Sequence, residues 1–282
     1  MMRSLGPGDE VGRYRLIGPH PGGGFRALHM GDQQRVVIDV REVAGDWRDR
    51  AVQLLRATSL LAALDHPGIG RIVDRGVLPD RRPWIASELA EGVTVSEILA
   101  RRTLAVDETL ALIRDLATIA THVHARGLVH TAIHPHAITV CTGERAFAIQ
   151  LGAWSELRTT GSEPAGRPTP YVAPERSAQP ASDIFSIGVL AYRALTGRFP
   201  SAALELVAGV PGVVSALVVR MLATEPELRP EAVSVQRVAT DLTGDRVLSG
   251  PRFARPRWTP PPIASEDRIA SIDDLAYVRS RY

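Results

Sequence analysis

Residues 129–138 read Val129-His130-Thr131-Ala132-Ile133-His134-Pro135-His136-Ala137-Ile138, and the rest of the chain is organised around them. Immediately upstream, residues 107–126 carry Leu110, Ile113, Leu116, Ala117, Ala120 and Val123 at three- and four-residue spacing. That period predicts a long amphipathic helix, with Gly127 as its C-terminal cap. Downstream, short strand-like segments follow at residues 137–141 and 146–151. Three more clusters follow in order: Ala173-Pro174-Glu175, Ser182-Asp183-Ile184-Phe185-Ser186-Ile187-Gly188, and Met221-Leu222 with Pro226 and Arg229-Pro230.

Moving outward, the first third of the chain has a different character. Residues 14–17 and 35–40 read as strands, the second built on Val36, Val37 and Ile38. Between them lies the turn-rich run Gly18-Pro19-His20-Pro21-Gly22-Gly23-Gly24-Phe25. Residues 51–64 have helical spacing through Leu54, Leu55, Leu61 and Leu64, and Asp65-His66-Pro67-Gly68 stops them. Further strands are expected at residues 69–77 and 83–89, and helices at 182–195, 211–222 and 232–242. Strands first and helices afterwards imply an α+β fold with its elements segregated into two lobes. The expected organisation is a linker at 1–12, a mainly β N-lobe at 13–91, a mainly α C-lobe at 92–245 and an extended C-terminal tail at 246–282. The tail is polar and broken by Pro251, Pro256 and Pro260 to Pro262.

Composition narrows the function classes. The 282 residues are 45% hydrophobic, as in an ordinary globular protein. A formal charge of +2, spread along the chain, gives no reason to expect nucleic acid as a partner. The single cysteine, Cys141, excludes an internal disulfide and suits a reducing compartment. No stretch approaches the roughly 20 apolar residues of a membrane span, and the N-terminus is not a signal peptide. The chain contains no lysine and no asparagine, so all 33 of its basic residues are arginine. A GC-rich genome explains both absences, since the codons for lysine and asparagine begin with two adenines.

These clusters resemble the motifs of bacterial serine/threonine protein kinases, over about residues 13–243. The opening stretch is similar to that family's catalytic loop, V-H-R-D-I-K-P-x-N-I. Ala173-Pro174-Glu175 matches its A-P-E motif, Ser182 to Gly188 resembles S-D-I/V-Y-S-L-G, and the Met221 to Pro230 cluster resembles M-L-x-x-x-P-x-x-R-P. The resemblance implies a two-lobed protein-kinase-like fold. It also implies that His130 packs in the core, Asp183 accepts hydrogen bonds from the loop backbone, Glu175 pairs with Arg229, and Leu61, Leu151, His130 and Asp183 assemble an internal spine.

Kinase chemistry is positioning plus stabilisation of charge on the transferring phosphoryl group. It draws on a third-strand lysine, a helix glutamate, a catalytic-loop aspartate and two metal ligands. Aligned on the motifs, those positions hold Asp39, Ala57, Ala132, Ala137 and Gln150, and Arg26 stands at the third glycine of the phosphate loop. Loss of a positioned base alone costs about 10²–10⁴ in rate. Between Pro200 and Pro211 there is also little room for the substrate-docking helix of active kinases. The expectation is a pseudokinase that is not an enzyme and takes no cofactor.

Other residues carry weaker signals. His122, His124, His130, His134 and His136 crowd one region, but no cysteine or carboxylate completes a ligand set nearby in sequence, so no metal is expected. Cys141 reads as a buried, inert thiol. Thr159, Thr160 and Thr169 lie in the segment that would be phosphorylated in a kinase. In the tail, Thr259 sits beside Arg255, Arg257 and Trp258 and is the candidate phosphosite.

The degraded motifs and arginine-only composition are similar to the cytoplasmic pseudokinase segment of actinobacterial MviN/MurJ-type lipid II flippases. That resemblance implies attachment to a membrane flippase at the inner face of the plasma membrane, phosphorylation by an upstream Ser/Thr protein kinase, and recruitment of an FHA-domain protein through phosphothreonine. The expected function is thus a phosphorylation-dependent scaffold in peptidoglycan synthesis. The alternatives are a nucleotide-sensing switch or an atypical phosphotransferase.

Overall fold

The computed structural model describes residues 4–41, 47–64, 66–131, 133–142, 147–163, 169–175, 177–201 and 209–243. Ala132, the tail at 246–282 with Thr259, and most of the Pro200–Pro211 interval lie outside the described residues.

The first lobe is a six-stranded antiparallel sheet. It comprises β1 (Glu10–Val11), β2 (Tyr14–Pro19), β3 (Phe25–His29), β4 (Arg35–Val40), β5 (Ile72–Val77) and β6 (Pro83–Glu88), in spatial order β1-β2-β3-β4-β6-β5. Phe25, expected at the end of a turn, instead begins β3. β4 lies between β3 and β6, and its Val36, Val37, Ile38 and Asp39 are all buried. β-branched side chains suit such a two-sided strand, whereas the carboxylate among them requires a special environment.

One face of the sheet packs Val11, Tyr14, Leu16, Ala27, Val36, Ile38, Trp84 and Ala86 into a small core. The other face is covered by α1 (Trp47–Ala62), where Leu54, Ala57 and Leu61 meet Ile72 and Ile85. β7 (Gly92–Thr94) then leads into α2 (Val95–Leu99). Thr94 caps that helix: its Oγ1 accepts from Glu97 N–H at 3.2 Å, and Glu97 Oε2 accepts from Thr94 N–H at 2.8 Å.

The second lobe is built around α3 (Val106–His124), whose Leu110, Ile113, Leu116, Ala117, Ala120 and Val123 are buried. Around it lie α4 (Pro180–Thr196), α5 (Gly212–Met221) and α6 (Ala232–Thr243). Three short strands, β8 (Leu128–Val129), β9 (Ile138–Cys141) and β10 (Ile149–Leu151), line the side facing the first lobe; β9 pairs with both β7 and β10. β11 (Arg158–Thr159) pairs with β8. One large core runs from α1 through β9 and β10 to α6, so the two lobes share apolar packing. Among the described residues, no helix is long and apolar enough to cross a membrane.

Candidate functional site in the interlobe cleft

The β2–β3 hairpin, β4, the strand end at Glu88, the loop after β8 and the start of β10 converge on one cleft. His20, Gly22, Asp39, Glu88, His136 and Gln150 are among its lining residues. The cavity leaves about 30 Å³ for water centres, room for one or two waters. The hairpin lies directly on the loop below: a Cβ on Gly22 would fall 2.7 Å from the His136 carbonyl oxygen. Gly24, at φ +68°, is equally confined, since a Cβ there would collide with Ile38 O and fall 2.6 Å from Asp39 Oδ1.

Asp39 stands on β4 and is 8% exposed. Burial pushes its carboxyl up to about 7, the negative charge of Glu156 adds to that, and Arg41 opposes it. Arg41 Nη2 lies 2.7 Å from Glu156 Oε2. Across the cleft, Gln150 on β10 is 4% exposed, and its Nε2 has no hydrogen-bond partner among the described residues. Ala137 closes the short turn Pro135–Ala137 and lines the same cavity. Ala57 is 1% exposed within the apolar packing of α1.

The loop at 129–138 is clamped from below. Asp183, at the start of α4, accepts from the backbone N–H of His130 at 2.9 Å and of Thr131 at 2.8 Å, and contacts His124 Nε2 at 2.8 Å. Burial pushes the Asp183 carboxyl up, but His124 and the backbone donors win and hold it below its ordinary value. Thr131 takes a left-handed φ of +64°, a strained position for a β-branched residue, and its hydroxyl donates to Glu156 O at 2.8 Å. His130 is 1% exposed; its Nε2 lies 2.8 Å from Gly152 O and its ring centroid 4.6 Å from that of Trp154. Leu61 and Leu151 are buried to the same degree. His134 is pushed down to about 4 by burial, with His130 and His136 contributing, and is therefore a neutral imidazole.

Glu175 and Arg229 form a fork of two hydrogen bonds at 2.8 and 3.0 Å. Arg229 also donates to the carbonyls of Ala181, Ala223 and Thr224, and lies over the Phe185 ring at 4.9 Å. The histidines do not converge: His124 serves Asp183, His130 serves Gly152, and His136 Nε2 lies 3.1 Å from Ser96 Oγ. Among the described residues, no group of three or more His, Cys, Asp or Glu is placed to hold a metal. Sequence reasoning missed Arg41 and Glu156. The available signal was strand parity, since Arg41 lies two residues beyond Asp39 and so falls on the same face.

Together the fold and cleft define the class: this is a protein-kinase fold, with a curled β-sheet N-lobe and a helical C-lobe. The PknI kinase domain of Mycobacterium tuberculosis superposes with a TM-score of 0.69 at 22% identity, over 86% of this chain and 100% of that one. In sequence, the homologues are bacterial Ser/Thr protein kinases. Pkn2 of Myxococcus xanthus is 29% identical over 213 residues, covering 67% of this chain and 25% of the relative. PrkC of Bacillus subtilis is 28% identical over 205 residues, covering 67% and 31%. The chain thus spans a quarter to a third of the length of these two relatives. No family model matches it.

These relatives correct two expectations. A non-enzymatic pseudokinase acting as an FHA-recruiting scaffold is contradicted, because the homologues are named as Ser/Thr protein kinases, which are enzymes. The alternatives of a nucleotide-sensing switch or an atypical phosphotransferase fare no better. Motif spacing identifies which residue stands at a position, whereas inactivity is a statement about a rate, and Ala132 lies outside the described residues.

Proposed function

We propose that this chain acts in bacterial Ser/Thr phosphosignalling as a domain of the protein-kinase class, with the interlobe cleft as its working site. The observation that carries this reading is the loop at 129–138, clamped by Asp183 and presented to a cleft roofed by a glycine-rich hairpin. Kinase homologues over two thirds of the chain support it. As partners we propose an upstream Ser/Thr protein kinase and a membrane protein to which the chain is attached at the inner face of the membrane. The second partner rests on the resemblance of the substituted motifs to the cytoplasmic segment of MviN/MurJ-type flippases.

The test uses γ-labelled ATP with magnesium or manganese, the full chain, and a bacterial Ser/Thr kinase with its protein substrate, each mixture with and without this chain. The expected result is label on serine or threonine that depends on this chain, which either donates or receives it. If label is the same in every mixture and none reaches this chain, the reading is wrong.

A further inference from the structure

The two lobes meet at an ion pair. Arg41, just beyond β4, reaches Glu156 in the turn Trp154–Glu156 at 2.7 Å, and the two side chains are 15% and 26% exposed. Asp39 lies two residues earlier on the same strand face, buried beneath the Gly24 backbone. Among the described residues, Arg41 and the carboxyls of Asp39 and Glu156 therefore share a shielded junction. Arg41 cannot neutralise both acids at once, so a full charge on Asp39 weakens what Arg41 gives to Glu156.

We propose that Arg41 and Glu156 form an interlobe clasp whose strength is set by the protonation state of Asp39. With Asp39 neutral, Arg41 belongs to Glu156 and the lobes are held together. With Asp39 ionised, it draws on Arg41 and repels Glu156, so the clasp loosens together with the glycine hairpin resting on Oδ1.

The surroundings of Asp39 are consistent with this. The residue just past its own strand is Arg41, and the turn after β10 supplies Glu156. In β6 it faces the neutral Ile85, the Gly24 backbone just before β3 approaches it, and Arg26 of β3, paired with Val37, lies on the same sheet face. α1 brings the apolar Leu54, Ala57 and Leu61 to the core beneath the sheet. His20, His136 and Glu88 line the same cavity. Burial keeps the carboxyl near neutrality, which places the transition between about pH 6 and 8. The clasp requires no phosphoryl transfer and so goes beyond the proposed function.

The experiment is hydrogen–deuterium exchange on the full chain at pH 6, 7 and 8, corrected for intrinsic exchange, following peptides over 20–28 and 152–158. Wild-type protection in both peptides should fall by about fivefold or more from pH 6 to pH 8, a typical coupling between linked sites. Asp39→Asn should keep the pH 6 protection throughout, and Glu156→Gln should be poorly protected throughout. A wild-type chain without the pH step overturns the proposal. So does Asp39→Asn with the step intact or, should that variant not fold, Glu156→Gln with the step intact.

Discussion

Glu175 and Arg229, 54 positions apart in the chain, are joined by two parallel hydrogen bonds of 2.8 and 3.0 Å, and the arginine side chain is fully buried. The pair ties the segment before α4 to the turn before α6, and three carbonyls share the same guanidinium. Arg229→Met removes the fork and strands the carboxylate, a loss of about 3–5 kcal/mol in urea unfolding. Arg229→Lys should recover only a small part, because an ammonium cannot reproduce the planar fork. Full recovery by lysine would show that the site needs charge alone.

Asp183 offers a second test. Asp183→Asn preserves shape, but its amide nitrogen must face one of the backbone donors now served by carboxylate oxygens. The expected cost is about 1–3 kcal/mol, with the loss of exchange protection concentrated at the His130 and Thr131 amides. A uniform loss over the whole lobe would contradict this assignment.

His134 fixes a pH dependence. The unfolded chain takes up its proton near the ordinary value of 6.5, whereas the folded chain resists until about 4. The unfolded state therefore binds more protons in that window, so this group lowers stability as the pH falls from 6.5 towards 4 and contributes nothing above it. Replacement by phenylalanine should flatten that part of the profile, and nuclear magnetic resonance should show one histidine titrating near pH 4.

Asp39 works in the opposite sense. Its folded value of about 7 lies above the ordinary 3.8, so the folded state binds more protons between those values. Stability is lost as the pH rises from about 4 to 7, and the loss is complete above 7. The stability gap between Asp39→Asn and wild type should therefore widen across that window and level off. A gap that stays constant with pH would mean that Asp39 is not raised.

The fold was legible because its decisive signals are local and repeated. The apolar period of α3 and the Val36-Val37-Ile38 run follow from burial, and Asp183 and Glu175 sit in motifs whose order constrains them. The cleft was legible only in part. Ala137 and Gln150 line it where the motif alignment placed them, whereas Ala57 belongs to apolar core. Arg41–Glu156 joins residues 115 positions apart in sequence, and no local pattern pairs them. The functional state was the least legible, since substituted residues describe groups and not rates.

The interlobe cleft is the proposed working site of Ser/Thr phosphosignalling. Its most direct test is phosphopeptide mass spectrometry on host cells carrying either the native chain or Ala90→Trp, which places an indole at the cleft lining, with the variant's folding verified by thermal unfolding. A working cleft predicts a defined set of serine and threonine phosphopeptides whose occupancy changes in the variant. Identical phosphopeptide occupancies in the two strains, with the variant folded, would contradict it.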